Sequence, residues 1–273
     1  MDIFQAIILG IIQGLTEFLP VSSSGHLVLF QHLFGLKEAE LLFDISVHLG
    51  TLAAVVVFFH KDIKAIFVAV FRYCKMALKT GSFAFSKDDS ETKFALLIVV
   101  GSVPTAIIGL MFHKIADRLF SSVLIAGTML LLTGLILYCT RFIKKSPKEN
   151  ELFSFKDALI IGIIQGLAII PGLSRSGTTI TTGLFLGLNR KTAAKYSFLL
   201  SIPAIVGASI ISFADMSNSN LIPLGTILAG VISSCASGYF ALKFLLYVVQ
   251  KGRLHYFSPY CLAIGIFSII LAL

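Results

Sequence analysis

One ungapped internal repeat limits what this chain can become. Ile8–His26 reads ILGIIQGLTEFLPVSSSGH and Ile160–Thr178 reads IIGIIQGLAIIPGLSRSGT; at a constant offset of 152, 10 of the 19 positions are identical. Gln13 matches Gln165, Gly14 matches Gly166, Ser22 matches Ser174, Ser24 matches Ser176 and Gly25 matches Gly177, while Gly35-Leu36 aligns with Gly187-Leu188. Apolar similarity alone would not hold Gln, Gly and Ser in register, so one unit has been duplicated. The chain reads as a single membrane domain, 1–273, with repeats at 1–150 and 151–273.

The surroundings of the repeat are apolar. Hydrophobic residues make up 56% of the chain and charged ones 13%, too few to cover a water-soluble surface. About 20 helical residues cross a bilayer, and six stretches qualify: 42–60, 94–112, 121–140, 196–213, 222–245 and 257–273. The repeated segments differ. In 1–34 and 157–188, two short apolar arms are broken at Pro20 and at Pro171-Gly172, which predicts two re-entrant helical hairpins beside a wet cavity or inside protein. The expected fold is an all-α polytopic integral membrane protein with six spans and two hairpins, one hairpin and three spans per repeat. Asp2 at the start, with Gln13 and Glu17 inside the first apolar segment, argues against a cleaved signal peptide.

Basic residues orient this layout. Seven Lys/Arg fall in the 61–93 connection, five in 141–157 and three in 189–195, with Lys251 and Arg253 between the last spans. The 34–44, 113–120 and 214–222 segments hold only Lys37, Lys114 and Arg118. The positive-inside rule puts the first group in the cytoplasm. Hairpin one then enters from outside and hairpin two from the cytoplasm, an inverted-topology repeat with its polar site at the repeat interface. The net charge of +8 on so apolar a background fits a membrane surface and not nucleic acid. Cys74, Cys139, Cys235 and Cys261 show no CxxC spacing and the six histidines no metal-binding pattern.

The polar residues concentrate at the two breaks. Gln13 and Glu17, spaced i, i+4, share a helix face. Pro20 leads into Val21-Ser22-Ser23-Ser24-Gly25-His26, and Pro171-Gly172 into Leu173-Ser174-Arg175-Ser176-Gly177-Thr178-Thr179, each reading as a helix start within the bilayer. Helix N-termini favour anions, and the Arg fork can hold two phosphate oxygens. Each feature also has a plain reading. An intramembrane Ser is usually a cap or a packing residue, Gln13 and Gln165 can bond to backbone, and Glu17 and Arg175 can simply neutralise each other. Isolated charges at that depth are costly, which favours a site for the last two. Asp44 and His48, near a span start, read as supporting residues.

At these residues the chain resembles the undecaprenyl-diphosphate phosphatase family, the bacitracin-resistance proteins. One family motif, a Gln/Glu, three residues, Glu and then a PVSSxGH-type segment, is matched by Gln13, Glu17 and Pro20–His26; the second, PGxSRSxxT, by Pro171–Thr179. The resemblance covers the whole chain. It implies hydrolysis of undecaprenyl diphosphate to the monophosphate lipid carrier of peptidoglycan synthesis, with resistance to bacitracin. It further implies a divalent cation, Mg²⁺ or Ca²⁺, and a site open to the outer side of the bacterial cytoplasmic membrane. By the same resemblance Ser23 attacks the terminal phosphorus or orients water, and His26 moves the proton or itself carries the phosphoryl group. Glu17 holds the metal and Arg175 neutralises the transferring phosphoryl group. Ser22, Ser24, Gly25, Ser174, Ser176, Gly177 and Thr179 contact substrate. Gln13 stands where the family commonly has Glu, and either binds metal or positions water or substrate. The partners expected are the polyprenyl diphosphate and membrane lipid, with a homodimer left open. The rival class is a secondary transporter or flippase, which shares inverted repeats and broken helices but gives no reason for Glu17, Ser23 and His26 to cluster.

Overall fold

Inside lipid each backbone polar group needs a partner within the chain, and helices supply one segment by segment. The computed structural model describes residues 1–34, 41–80, 90–113, 115, 119–143, 153–214 and 222–273. Gly35-Leu36, Lys37, Lys114, Arg118 and most of the 141–157 basic cluster lie outside them. All regular structure among the described residues is helical. The first half holds α1 (Ile3–Phe18), α2 (Ser23–Leu33), α3 (Leu41–Phe58), α4 (His60–Thr80), α5 (Ser90–His113) and α6 (Val123–Cys139). The second holds α7 (Phe155–Leu167), α8 (Arg175–Phe185), α9 (Arg190–Ala214), α10 (Leu224–Gln250) and α11 (Ser258–Ala272).

Ser90–His113, Val123–Phe142, Arg190–Ala214, Leu224–Gln250 and Leu254–Ala272 are long and apolar enough to cross a bilayer, and α3 with α4 forms a bent pair that makes a sixth. The protein is thus an all-α, multi-pass membrane protein. Three ends move by four residues or more: α5 starts at Ser90, not 94, α9 at Arg190, not 196, and α10 runs to Gln250, not 245. A larger correction concerns 61–93, read above as a connection. Most of it is α4, whose charges hide it from a search for apolar runs, and which turns 77° away from α3.

The arms of the repeated segment are short. α1 has 16 residues and α7 has 13, about 24 and 20 Å at 1.5 Å per residue, against a hydrocarbon core of about 30 Å. Each packs on its return arm, α1 on α2 and α7 on α8, and each also lies against a span of the opposite half, α1 on α10 and α7 on α5. Small residues permit this approach. A Cβ on Gly10 would lie 2.5 Å from the Gly230 carbonyl oxygen, and one on Gly14 would lie 2.4 Å from that of Ser234. Their repeat partners behave alike: on Gly162 the Cβ would meet the Gly101 oxygen at 2.0 Å, and on Gly166 it would meet Ile108 Cβ at 2.8 Å. The matched Gly-x-x-x-Gly pairs are therefore where each half grips the other. α6 and α11 close the same interface.

Overpacking of this kind costs about 1–3 kcal/mol. Gly162→Ala should lower the thermal midpoint measured by loss of monodispersity on heating in detergent. Gly207→Ala, where an added Cβ meets nothing within 4 Å, should leave it unchanged or raise it, since Ala is the better helix former by about 1 kcal/mol.

Candidate active site

Both breaks follow from local chemistry. A residue before proline is pushed out of the helical region, and Leu19 ends α1 with φ −60° and ψ 144°. Ser22 then starts α2, its Oγ accepting from Gly25 N at 3.3 Å. In the second copy Gly172 turns the chain with φ +93°, and Ser174 starts α8 by accepting from Gly177 N at 3.1 Å. The caps are repeat partners, as the sequence indicates.

The two tips touch each other. A Cβ on Gly25 would lie 3.0 Å from Gly172 Cα, and one on Gly177 would lie 3.1 Å from Pro20 Cβ. These contacts exchange under the repeat, Pro20 being the partner of Gly172 and Gly25 that of Gly177. Ser22 Oγ also accepts from Gly172 N at 3.1 Å, which holds Ser22 at its unusual φ of +68°. Thr133 of α6, fully buried, accepts from Ser174 N at 3.0 Å and donates to the Gly172 carbonyl at 2.8 Å. Thr133 was not singled out from sequence; one Thr in an apolar span carries no signal of its own.

At this junction Glu17 is buried and fully engaged. Its Oε2 accepts from Ser23 Oγ at 2.6 Å and from Gln13 Nε2 at 2.9 Å, and its Oε1 pairs with Arg175 Nη2. His48 Nε2 lies 3.8 Å from Oε2, which brings His48 closer to the chemistry than the sequence reading had it. Asp44 accepts from Gln31 Nε2 at 2.9 Å and stays in support. Ser23, Arg175 and His48 are half-buried around Glu17, so the carboxylate is the floor of a partly open site. Two buried atoms here have no partner among the described residues: Arg175 Nη1 and Gln13 Oε1. An unmet buried polar atom costs about 1–3 kcal/mol, more when charged, so both invite a ligand.

His26 is buried, and its ring nitrogens bond groups other than Ser23. Its Nδ1 is 2.8 Å from the Ser22 carbonyl, which only accepts, so the proton sits on Nδ1 and Nε2 presents a lone pair. Tyr260 Oη, on α11, donates to that Nε2 at 2.8 Å, its ring parallel to the imidazole at a 4° interplanar angle. Tyr260 was missed because its neighbours in sequence are those of an ordinary span.

The remaining candidates are mostly architectural here. Ser24 lies 3.3 Å from Ser22 Oγ, and Ser176 lies 3.3 Å from Ser174 Oγ and donates to the Leu19 carbonyl at 3.3 Å. Thr179 bonds the Arg175 carbonyl at 2.7 Å and Ser197 Oγ at 2.6 Å. As for a divalent cation, no cluster of three or more His, Cys, Asp or Glu occurs among the described residues. The oxygen donors at hand, Glu17 and, on the Gln13 amide that contacts it, the unpartnered Oε1, suit only a cation that takes its other oxygens from phosphate and water, not one caged by protein.

The chain matches the family model "Bacitracin resistance protein BacA" over residues 6–267. It is 52% identical to the undecaprenyl-diphosphatase of Desulfosudis oleivorans and 51% identical to that of Desulfatibacillum aliphaticivorans, covering 97% of both chains in each case. It is 44% identical to the undecaprenyl-diphosphatase of Halothermothrix orenii, over 100% of this chain and 99% of that one.

Thr133→Val removes two buried hydrogen bonds without changing shape. It should destabilise the protein by about 1–3 kcal/mol in thermal denaturation, whereas Thr133→Ser should stay near wild type.

Proposed function

The chain belongs to the bacitracin-resistance protein BacA family, and on that footing we propose that it hydrolyses undecaprenyl diphosphate to undecaprenyl phosphate and inorganic phosphate. The observation that carries the reading is Ser23 Oγ 2.6 Å from Glu17 Oε2, with Arg175 on the other carboxylate oxygen. A hydroxyl on a carboxylate is a nucleophile with its base in place. Arg175 Nη1, buried and without a partner, supports a phosphoryl group as the missing acceptor.

The steps follow from these groups. Ser23 Oγ attacks the terminal phosphorus while Glu17 takes its proton. The bond from that phosphorus to the bridging oxygen breaks, and undecaprenyl phosphate leaves with the bonding pair. Water then attacks the phosphoserine and inorganic phosphate departs, the Ser23 oxygen recovering a proton from Glu17. His26 takes up the proton of that water through Tyr260, whose Oη passes its own proton to Nε2 as it accepts the one from water. Arg175 stabilises the equatorial oxygens of the transferring group. When bound, a Mg²⁺ or Ca²⁺ ion would neutralise diphosphate charge, with Glu17 and Gln13 Oε1 as its protein ligands.

The re-entrant reading of the two hairpins belongs to the same proposal. Hairpin one carries Glu17, Ser23 and His26 from the outer side of the bacterial cytoplasmic membrane, and the prenyl tail stays in lipid. The product is the lipid carrier of cell-wall synthesis, and its regeneration from the diphosphate is what bacitracin resistance requires.

Phosphate release from prenyl diphosphates in detergent, with and without EDTA, tests the activity; no release would overturn it in favour of transport. Ser23→Ala should lower kcat by about a thousandfold or more. Arg175→Lys should lower it by about 10²–10³, because a point charge lacks the fork. His26→Ala should accumulate phosphoserine, recoverable by acid quench and located at Ser23 by mass spectrometry. A phosphohistidine in the wild type would reverse the two roles.

A further inference from the structure

The helix α4 fits no part of the chemistry above, and its surface is unusual for a connection. It follows α3 across a 77° bend at Phe59. α3 is 18 residues long, about 27 Å, so it covers most of the sixth crossing, and a helix turned 77° from it runs close to the bilayer plane. Within the bent pair that makes the sixth span, six charged residues in 21 hold α4 at the boundary and out of the hydrocarbon.

Three faces divide its circumference. Ile63, Ile66, Val70 and Tyr73 are half-buried, on the side of the helix that packs against α5. Phe67, Phe71 and Leu78, spaced i, i+4, i+11, are 70, 72 and 86% exposed. Lys61, Lys64, Arg72 and Lys75, spaced i, i+3, i+11, i+14, form an exposed stripe next to the aromatic one. Asp62, the one acid of α4, is drawn to Lys195 of α9 at 2.6 Å. The outward charge is therefore all positive. A large apolar stripe beside a basic one, on a helix lying at the end of a span, is the arrangement that seats at a lipid headgroup boundary.

We propose that α4 is an interfacial anchor, with Phe67, Phe71 and Leu78 in the acyl boundary and Lys61, Lys64, Arg72 and Lys75 on the headgroups of anionic phospholipids. The charge stripe argues for an anionic lipid surface, and the proposal is independent of the phosphatase reading. Basic side chains beside such a surface enrich acidic headgroups locally, and aromatic side chains hold the helix at the depth where they do so.

The chain contains no Trp, so one introduced Trp reports one position. Phe71→Trp and Lys64→Trp, each in the full chain in nanodiscs of phosphatidylcholine and phosphatidylglycerol, would be read against acyl-brominated lipid and aqueous acrylamide. Phe71→Trp should be quenched by bromine and shielded from acrylamide, and Lys64→Trp the reverse. Bromine carried on phosphatidylglycerol should quench Phe71→Trp about twofold or more beyond the same bromine on phosphatidylcholine. Adding K61Q, K64Q, R72Q and K75Q should abolish that preference. Leu78→Trp repeats the measurement should Phe71→Trp not fold. Acrylamide quenching of Phe71→Trp and Leu78→Trp equal to that of Lys64→Trp would overturn the anchor. Equal quenching by the two brominated lipids would overturn the anionic selectivity.

Discussion

The contact between Glu17 and Arg175 joins the two halves of the chain at their most polar point. Either charge buried alone would be costly, and removing one partner of a buried pair costs about 3–5 kcal/mol because the other is stranded. Each charge comes from a different copy of the repeat, so the pair forms only when both tips are in place. The caps at Ser22 and Ser174, the Gly25–Gly172 and Gly177–Pro20 approaches and the Thr133 bridge all serve that placement. A purely neutralising pair would leave nothing over. Arg175 Nη1 is left over, and so is Gln13 Oε1, which is why structure and chemistry are not alternatives for these residues.

The repeat provides an internal control for every role. His26 Nδ1 bonds the Ser22 carbonyl at 2.8 Å, and its partner Thr178 bonds the Ser174 carbonyl through Oγ1 at the same distance. Thr therefore suffices to hold the first turn. What the imidazole adds is a second nitrogen, and that nitrogen is the one facing Tyr260. Gln165, the partner of Gln13, contacts Thr105 and the Leu200 carbonyl, whereas Gln13 reaches a carboxylate. Ser22 and Ser174, which the copies share, shape backbone in both.

This explains which features could be read from sequence. The spans, both breaks and both caps were legible because each rests on local rules: apolar length, proline, and Ser three residues ahead of a glycine. Glu17, Ser23 and Arg175 stood out because charge and hydroxyl at bilayer depth are anomalous. Tyr260, Thr133 and the approach of His48 were not legible. Their meaning depends on which helix lies opposite, and Tyr260 is 234 residues from His26. The helix α4 escaped for another reason: its pattern is amphipathic at helical period, and a search for continuous apolar runs discards such a segment. Several hydroxyls assigned to substrate from sequence, Thr179 among them, bond to the hairpins themselves.

The position of the site is set one helix turn away from it. Along α1, Gly10 and Gly14 face α10, while Gln13 and Glu17 follow at i+3 and i+7 from Gly10. Because the glycines let α1 close on the Ser233 and Ser237 hydroxyls and on the backbone of α10, α1 cannot slide or turn without a clash. Glu17 is then held where Arg175, fixed on the other half by the matching Gly162–Gly101 approach, can reach it. A site made of long side chains thus inherits its precision from residues with none.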